Sequence, residues 1–272
     1  MKFGFYTPNF GFCGDARVLA ELAHEAEEAG WDGFFIWDHL QVIEPAVDPW
    51  IALAAMALST RRIRLGPLVT PVPRRHIAKL AREVTSLDRL SNGRLIVGVG
   101  AGFPQLPDYA AFGDHGGARA RAAKLDEGLD LLAALWSGEP VSHRGEHFRV
   151  ECPPFAPPVQ RPRPPIWVAA AWPANRPLAR AARWDGVVPL GGLGLEVAPS
   201  ELPAIVATVR DQRTSDAPFD VTQFGVTRDP GDTRTVAAAA EAGATWWIDY
   251  VYAGGGSLAA TRQRLRQGPP RL

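Results

Sequence analysis

The chain has 272 residues, 46% of them hydrophobic, with 29 basic and 29 acidic side chains and a formal net charge of zero. That length suits one barrel domain spanning 1–272, and a neutral chain has no global field to draw it onto nucleic acid or anionic lipid. No run nears membrane-spanning length, MKFGFYTPNF lacks the apolar core of a signal peptide, and Cys13 and Cys152 form no redox or metal motif, so the expectation is a cytoplasmic protein with no membrane or nucleic-acid partner.

Short β-rich apolar runs alternate with helical patterns along the chain. Strands are expected at 2–7, 33–38, 63–70, 94–100, 166–171, 186–190, 221–226 and 246–251. Helices are expected around 15–29, 48–60, 76–90, 118–137, 175–184, 200–212, 233–243 and 257–267. In the first helix Leu19, Leu22, Ala23 and Ala26 recur at i, i+3, i+4 and i+7, and Gly30 follows as a stop. Runs such as GFFIW, LIVGV and TWWI are nearly continuous rather than alternating, the mark of parallel strands covered on both faces. Eight such units in one domain-sized chain point to a closed (β/α)₈ TIM barrel, of class α/β. The hairpin-like stretch 141–150 and the Pro-rich 153–165 form an insertion between helix 4 and strand 5. The stretch 191–220 is the least regular.

In such a barrel the reactive groups lie at the C-terminal strand ends. Those positions read Thr7-Pro8-Asn9, Asp38-His39, Thr70-Pro71, Gly100-Ala101-Gly102, Ala170-Ala171-Trp172, Leu190-Gly191-Gly192, Thr227-Arg228 and Asp249-Tyr250. Small and glycine-rich ends suit a flat cofactor approached closely by backbone. Asp38-His39 is the sharpest chemical pair, since imidazole titrates near neutrality and a neighbouring carboxylate can tune it; the alternative is a pair that merely caps loops. Pro71 and Pro73 mark either a rigid strand exit or a kink or cis peptide pressed against a ligand. The glycines of 98–102 lack the dinucleotide spacing and do not open a helix. His143-Arg144-Gly145-Glu146-His147 has the spacing of a zinc-protease motif, but its flanks favour a hairpin and the motif needs a helix, so no metal is expected. Trp37, Trp50 and Trp172 offer an aromatic wall or plain packing, and Arg74-Arg75 an anion site or two solvated loop arginines.

Several stretches, in order along most of the chain, resemble the luciferase-like monooxygenase family and its flavin- or F420-dependent oxidoreductase branch. They include GWDGFFIWDHL at 30–40, LVTPVPRRHIAKLAREVTSLDRLSNGRLIVGVGAGF at 68–103, EPVSHRGEHFRV at 139–150 and RAARWDGVVP at 180–189. The resemblance implies a barrel holding F420 or FMN at its C-terminal mouth, with Asp38 and His39 beside the ring as the acid–base pair. It implies a strand-3 bulge at Val69 and Thr70, often with a cis peptide, that backs the ring, and Gly100 and Gly102 along the cofactor's side chain. Gly191, at the end of strand 6, is placed among the cofactor contacts. The family's phosphate-binding glycines after strand 5 are here Ala170-Ala171, followed by Trp172, so methyl groups and an indole are expected to crowd that approach.

The leading expectation is hydride transfer between a small-molecule substrate and F420 or FMN, with His39, oriented by Asp38, moving the proton and Arg74 and Arg75 helping to hold the cofactor tail. An FMN-dependent monooxygenase fed by a separate flavin reductase is the first alternative, and a non-catalytic flavin-binding barrel the second. The partners implied are the substrate, a separate flavin reductase or F420-reducing enzyme, and a second copy in a homodimer.

Overall fold

The computed structural model describes residues 1–41, 44–103, 108–113, 116–192, 196–250 and 256–272. The chain begins β1 (Lys2–Thr7), α1 (Ala16–Glu28), β2 (Gly33–Ile36), α2 (Pro49–Ser59), β3 (Arg64–Pro67), β4 (Thr70–Pro71), α3 (Ile77–Leu90), β5 (Val97–Gly100) and α4 (Ala118–Trp136). A hairpin of β6 (Val141–Arg144) and β7 (Arg149–Cys152) comes next. Then come β8 (Ile166–Ala171), α5 (Asn175–Ala182), β9 (Gly186–Leu190), α6 (Leu202–Gln212), β10 (Asp220–Gly225), α7 (Arg234–Glu241), β11 (Trp246–Tyr250) and α8 (Leu258–Arg266). Local chemistry starts the helices. Asp15 accepts from the Arg17 amide at 2.7 Å, and Asp48 caps α2 through Trp50 and Ile51 at 2.9 and 3.0 Å, with Pro49 in the first turn.

The large sheet runs β3-β2-β1-β11-β10-β9-β8-β5-β4, all parallel, and so starts and ends on two pieces of one interrupted strand. The ring closes where the Ile96 amide donates to the Leu65 carbonyl at 2.8 Å, beside the Leu65–Leu95 bridge. Its nine segments are thus eight strands around a closed barrel, each followed by a helix. The third strand differs from the continuous 63–70 read in the sequence. It breaks at Leu68-Val69, whose peptide is cis, between Pro67 and Pro71, neither of which has an N–H to give a ladder. The X–Pro peptides in cis lie elsewhere, at Arg161-Pro162 and Trp172-Pro173, not at Pro71 or Pro73.

The barrel lumen is solid at its base. Phe35, Trp167 and Trp246 meet there with ring centroids 5.2–5.9 Å apart, all fully buried. Three glycines make the room. A Cβ on Gly4 would lie 2.7 Å from Ile248, one on Gly33 2.6 Å from Phe35, and one on Gly186 2.5 Å from Trp167. Above this plug lie Tyr6, Leu68, Phe224 and Ile248. The second, larger core fills the shell between strands and helices and holds the outward-facing alternate residues such as Phe34, Val168, Val187 and Trp247.

The hairpin packs on the outer core through Val141 and Phe148 and is not a metal helix. His143 sits on β6 with its Nε2 2.9 Å from Glu127 of α4, whose carboxylate also takes the His147 and Phe148 amides at 2.8 Å.

Barrel closure sets a sharp tolerance at Gly66, where a Cβ would sit 1.9 Å from the Ile96 carbonyl oxygen. Gly66→Ala is expected to cost about 3 kcal/mol through overpacking. Gly192→Ala, with nothing within 4 Å, is expected to stay within about 0.5 kcal/mol. Urea midpoints of the two variants check this, and equal midpoints would contradict the closure described.

Candidate active site

At the C-terminal end the lumen opens. Because side chains alternate, the residues two beyond the inner cluster continue upward and form the floor of a mouth. These are Trp37, Leu190 and Tyr250, joined by Val69, which directly follows Leu68 at the bulge, all partly buried and packed against the inner cluster. Trp37 stacks on Tyr6 at 6.0 Å and takes the edges of Phe10 and His39 at 5.4 and 5.5 Å. The β5 and β8 side of the mouth is small. Leu68 and Val69 lean into the space left by Gly98 and Gly100, and a Cβ on Gly100 would come within 3.4 Å of Ala169. Bulk on one wall and methyls or hydrogens on the other make the hollow of the mouth one-sided at the bulge.

Beside that hollow lies a four-charge cluster. Asp38, fully buried, binds Arg74 Nη2 at 2.5 Å and Arg75 Nη2 at 2.6 Å. Arg74 Nη1 reaches on to Asp108 Oδ2 at 2.8 Å, and the same carboxylate oxygen is 2.5 Å from His39 Nδ1. Asp108 Oδ1 accepts the Leu40 and Gln41 amides at 3.0 and 3.3 Å. Two carboxylates and two guanidiniums cancel, so the cluster can be buried without a stranded charge. Burial pushes the Asp108 carboxyl up, but the His39 hydrogen bond and charge, Arg74 and the Gln41 amide outweigh it and hold the group below its ordinary range. With Nδ1 committed to an anion, the nitrogen of His39 left for chemistry is Nε2.

This arrangement corrects one expectation. The partner that orients His39 is Asp108, not Asp38, because Asp38 already receives two guanidiniums. Arg74 and Arg75 both reach Asp38, yet Arg74 Nε and Nη1 and Arg75 Nε are buried without a hydrogen-bond partner.

The luciferase-like monooxygenase family profile matches residues 1–269. The chain belongs to that family. It is 36% identical over 185 residues to the F420-dependent glucose-6-phosphate dehydrogenase of Nakamurella multipartita, covering 64% of this chain and 52% of that one, so it spans about half that relative's length. The enzyme of the same name from Beutenbergia cavernae is 33% identical over 242 residues, 84% of this chain and 69% of the relative. Among solved structures, a monooxygenase from Streptomyces bottropensis superposes with a TM-score of 0.78 at 23% identity, over 98% of this chain and 97% of that one, a likeness of fold.

The other positions that the luciferase-like resemblance marked fall in different places. Val69 faces the hollow, while Thr70 is fully buried just beyond the bulge, its hydroxyl without a partner. Gly100 lies on the small wall. Gly102, at φ +87, makes a turn whose Cβ space is taken by the Tyr109 ring. Gly191 makes room for the Glu196 carbonyl, 2.1 Å from where its Cβ would be. Ala170 points away from the mouth, fully buried in the outer core, whereas Ala171 is exposed. Alternation along β8 therefore removes one of the two methyls expected to crowd the phosphate approach. The Trp172 indole is drawn aside as well, donating from Nε1 to Glu201 at 2.9 Å. Trp50 is buried in the outer core rather than in the mouth. Asp108 was missed by sequence reasoning. It lies 69 residues from His39, and no local spacing links the two.

Asp108→Asn is expected to release the ring from the tautomer that donates from Nδ1, visible as a change in the ¹⁵N shifts of the neutral His39 ring, with Asp108→Glu restoring them in part. The pH sign follows from the lowered carboxyl. Its stabilisation is complete above the unfolded carboxylate value of about 4 and is lost as pH falls through the lower folded value. Acid unfolding of Asp108→Asn should therefore start from lower stability at neutral pH and show a shallower acid limb; an unchanged limb would contradict the tether.

Proposed function

We propose that this chain is an oxidoreductase that passes hydride between F420 or FMN and a small organic substrate, with His39 as the proton-handling group. The observation that carries it is His39 itself, with Nδ1 held by a buried anion and its ring edge against Trp37 at the mouth of a luciferase-like barrel. The residues present fit a flat, ring-bearing cofactor. Thr70 offers a buried hydroxyl with no partner, and Gly98 and Gly100 let the bulge residues Leu68 and Val69 pack closely against β5. Ala171, the first turn of α5 and its exposed Arg176 are the groups suited to hold an anionic tail. When bound, F420 or FMN supplies the hydride carrier.

The chain's own part is positioning and proton movement. The aromatic floor excludes water from the hollow, and His39 gives or takes at Nε2 the proton that accompanies the hydride. Asp108 stays an anion at neutral pH and fixes the tautomer of His39. The reading includes a separate enzyme that recharges the cofactor. It includes a homodimer, for which the outer face of α2 offers Ile51 and Leu58, 65% and 73% exposed. It also places the protein in the reducing cytoplasm, where the unpaired Cys13 and Cys152 suit the environment. No helix among the described residues is long and apolar enough to cross a membrane.

Titrating the apo-protein with FMN and with F420 is the first test. One of the two is expected to raise the melting temperature, by the equivalent of about 2.7 kcal/mol at a hundredfold excess over Kd, and no shift from either would sink the cofactor reading. His39→Ala is expected to keep the cofactor and lose about 10²- to 10⁴-fold in turnover. Unchanged turnover would remove the acid–base role, and oxygen consumption during turnover would mark a monooxygenase instead.

A further inference from the structure

Strand β1 turns Tyr6 into the lumen just below the mouth. The side chain is buried, with its ring stacked on Trp37 at 6.0 Å and tilted against Phe224 at 5.3 Å. Its hydroxyl donates to the Leu68 carbonyl at 2.5 Å, across 62 positions of sequence. Burial pushes the phenol well above its ordinary range, so it stays a neutral donor at neutral pH.

The carbonyl it holds belongs to the bulge. The Leu68 amide is tied to β2, donating to Ile36 at 2.8 Å, and the next residue, Val69, stands on the mouth floor. On the β5 side the bulge lies against glycines: a Cβ on Gly98 would come 2.6 Å from the Leu68 side chain, and one on Gly100 2.9 Å from Val69. Contacts of that kind stop the bulge from sinking toward β5 but carry no direction. A hydrogen bond does, and it fixes the plane of the peptide that carries Val69. A buried carbonyl deprived of its donor has to turn toward another or stay unpaired at a cost. Tyr6 itself lies beneath the floor, so its influence on the mouth passes through Val69 and Trp37.

Resting on the oxidoreductase reading above, we propose that Tyr6 is a positioning residue, whose hydroxyl holds the Leu68–Val69 peptide and so sets the floor on which the flat ring of F420 or FMN is seated. The ring of Tyr6 supports Trp37 and the hydroxyl supports the bulge, so one side chain props both parts of the floor. Tyr6→Phe separates the two, because it keeps the ring and removes only the donor.

The test compares Tyr6→Phe with Thr222→Val in the full chain. Thr222→Val deletes another buried lumen hydroxyl, bonded to the Val187 carbonyl at 3.3 Å beside Trp246 and away from the floor. Both variants are expected to melt a few degrees lower. Only Tyr6→Phe is expected to shift the Val69 methyl resonances of the protein without cofactor. It alone is also expected to weaken FMN or F420, whichever the wild type binds, about tenfold, and to change the visible circular dichroism of the bound ring. Val69→Ala is expected to weaken the cofactor as well, and Tyr6→Phe to add less than about twofold on that background, since the two act through one contact. Val69 resonances and cofactor affinity left unchanged by Tyr6→Phe, or changed equally by Thr222→Val, overturn the proposal. Should Tyr6→Phe fail to fold, the wild type decides: its Tyr6 hydroxyl proton is expected to resist exchange with water and to shift when cofactor binds, and a proton that does neither overturns the proposal. A wild type that binds neither FMN nor F420 overturns the oxidoreductase reading alone, because the Val69 resonances still report whether Tyr6 sets the floor.

Discussion

Phe35, Trp167 and Trp246 fill the base of the barrel, and everything above them takes its height from that plug. Strands that pack three large aromatic rings side by side can close only where other inward positions are empty, which is why Gly4, Gly33 and Gly186 face the rings. Two residues further along each strand the lumen widens. The same alternation that packs the base leaves Trp37, Leu190 and Tyr250 as a floor, joined by Val69 of the bulge, so the mouth is a direct consequence of how the base is filled.

The charged cluster depends on this geometry in turn. Asp38 and His39 follow β2, Arg74 and Arg75 follow the interrupted third strand, and Asp108 lies between β5 and α4. Adjacent strands bring these connections together, and burial makes neutrality obligatory. Each guanidinium must find a carboxylate because a lone charge there is costly. The outcome is a histidine fixed at one nitrogen beside a buried, charge-balanced cluster. The first suits proton transfer, and the second lets the charges be buried together.

The members of the family named for F420 and glucose 6-phosphate share the scaffold, but scaffold alone does not choose a substrate. The cluster of Asp38, Arg74, Arg75 and Asp108 lies on this chain's loops, where such barrels differ most freely.

The eight strand–helix units could be read directly from the sequence. Their signals are local, and the bounds of β1, β8 and β9 agree with the expected strands residue for residue. His39 at a strand end was legible for the same reason, and so was the hairpin that separates His143 from His147. The pairing of His39 with Asp108 was not, nor was the capture of Arg74 and Arg75 by Asp38, since contacts across neighbouring strands leave no trace in local spacing. Nor was it apparent that Ala170 turns outward while Ala171 faces the mouth, although both end the same strand. The period of the pattern determined the barrel; which charges meet, and which of two adjacent alanines lines the site, was decided only when the strands closed and burial forced every ion to find its partner.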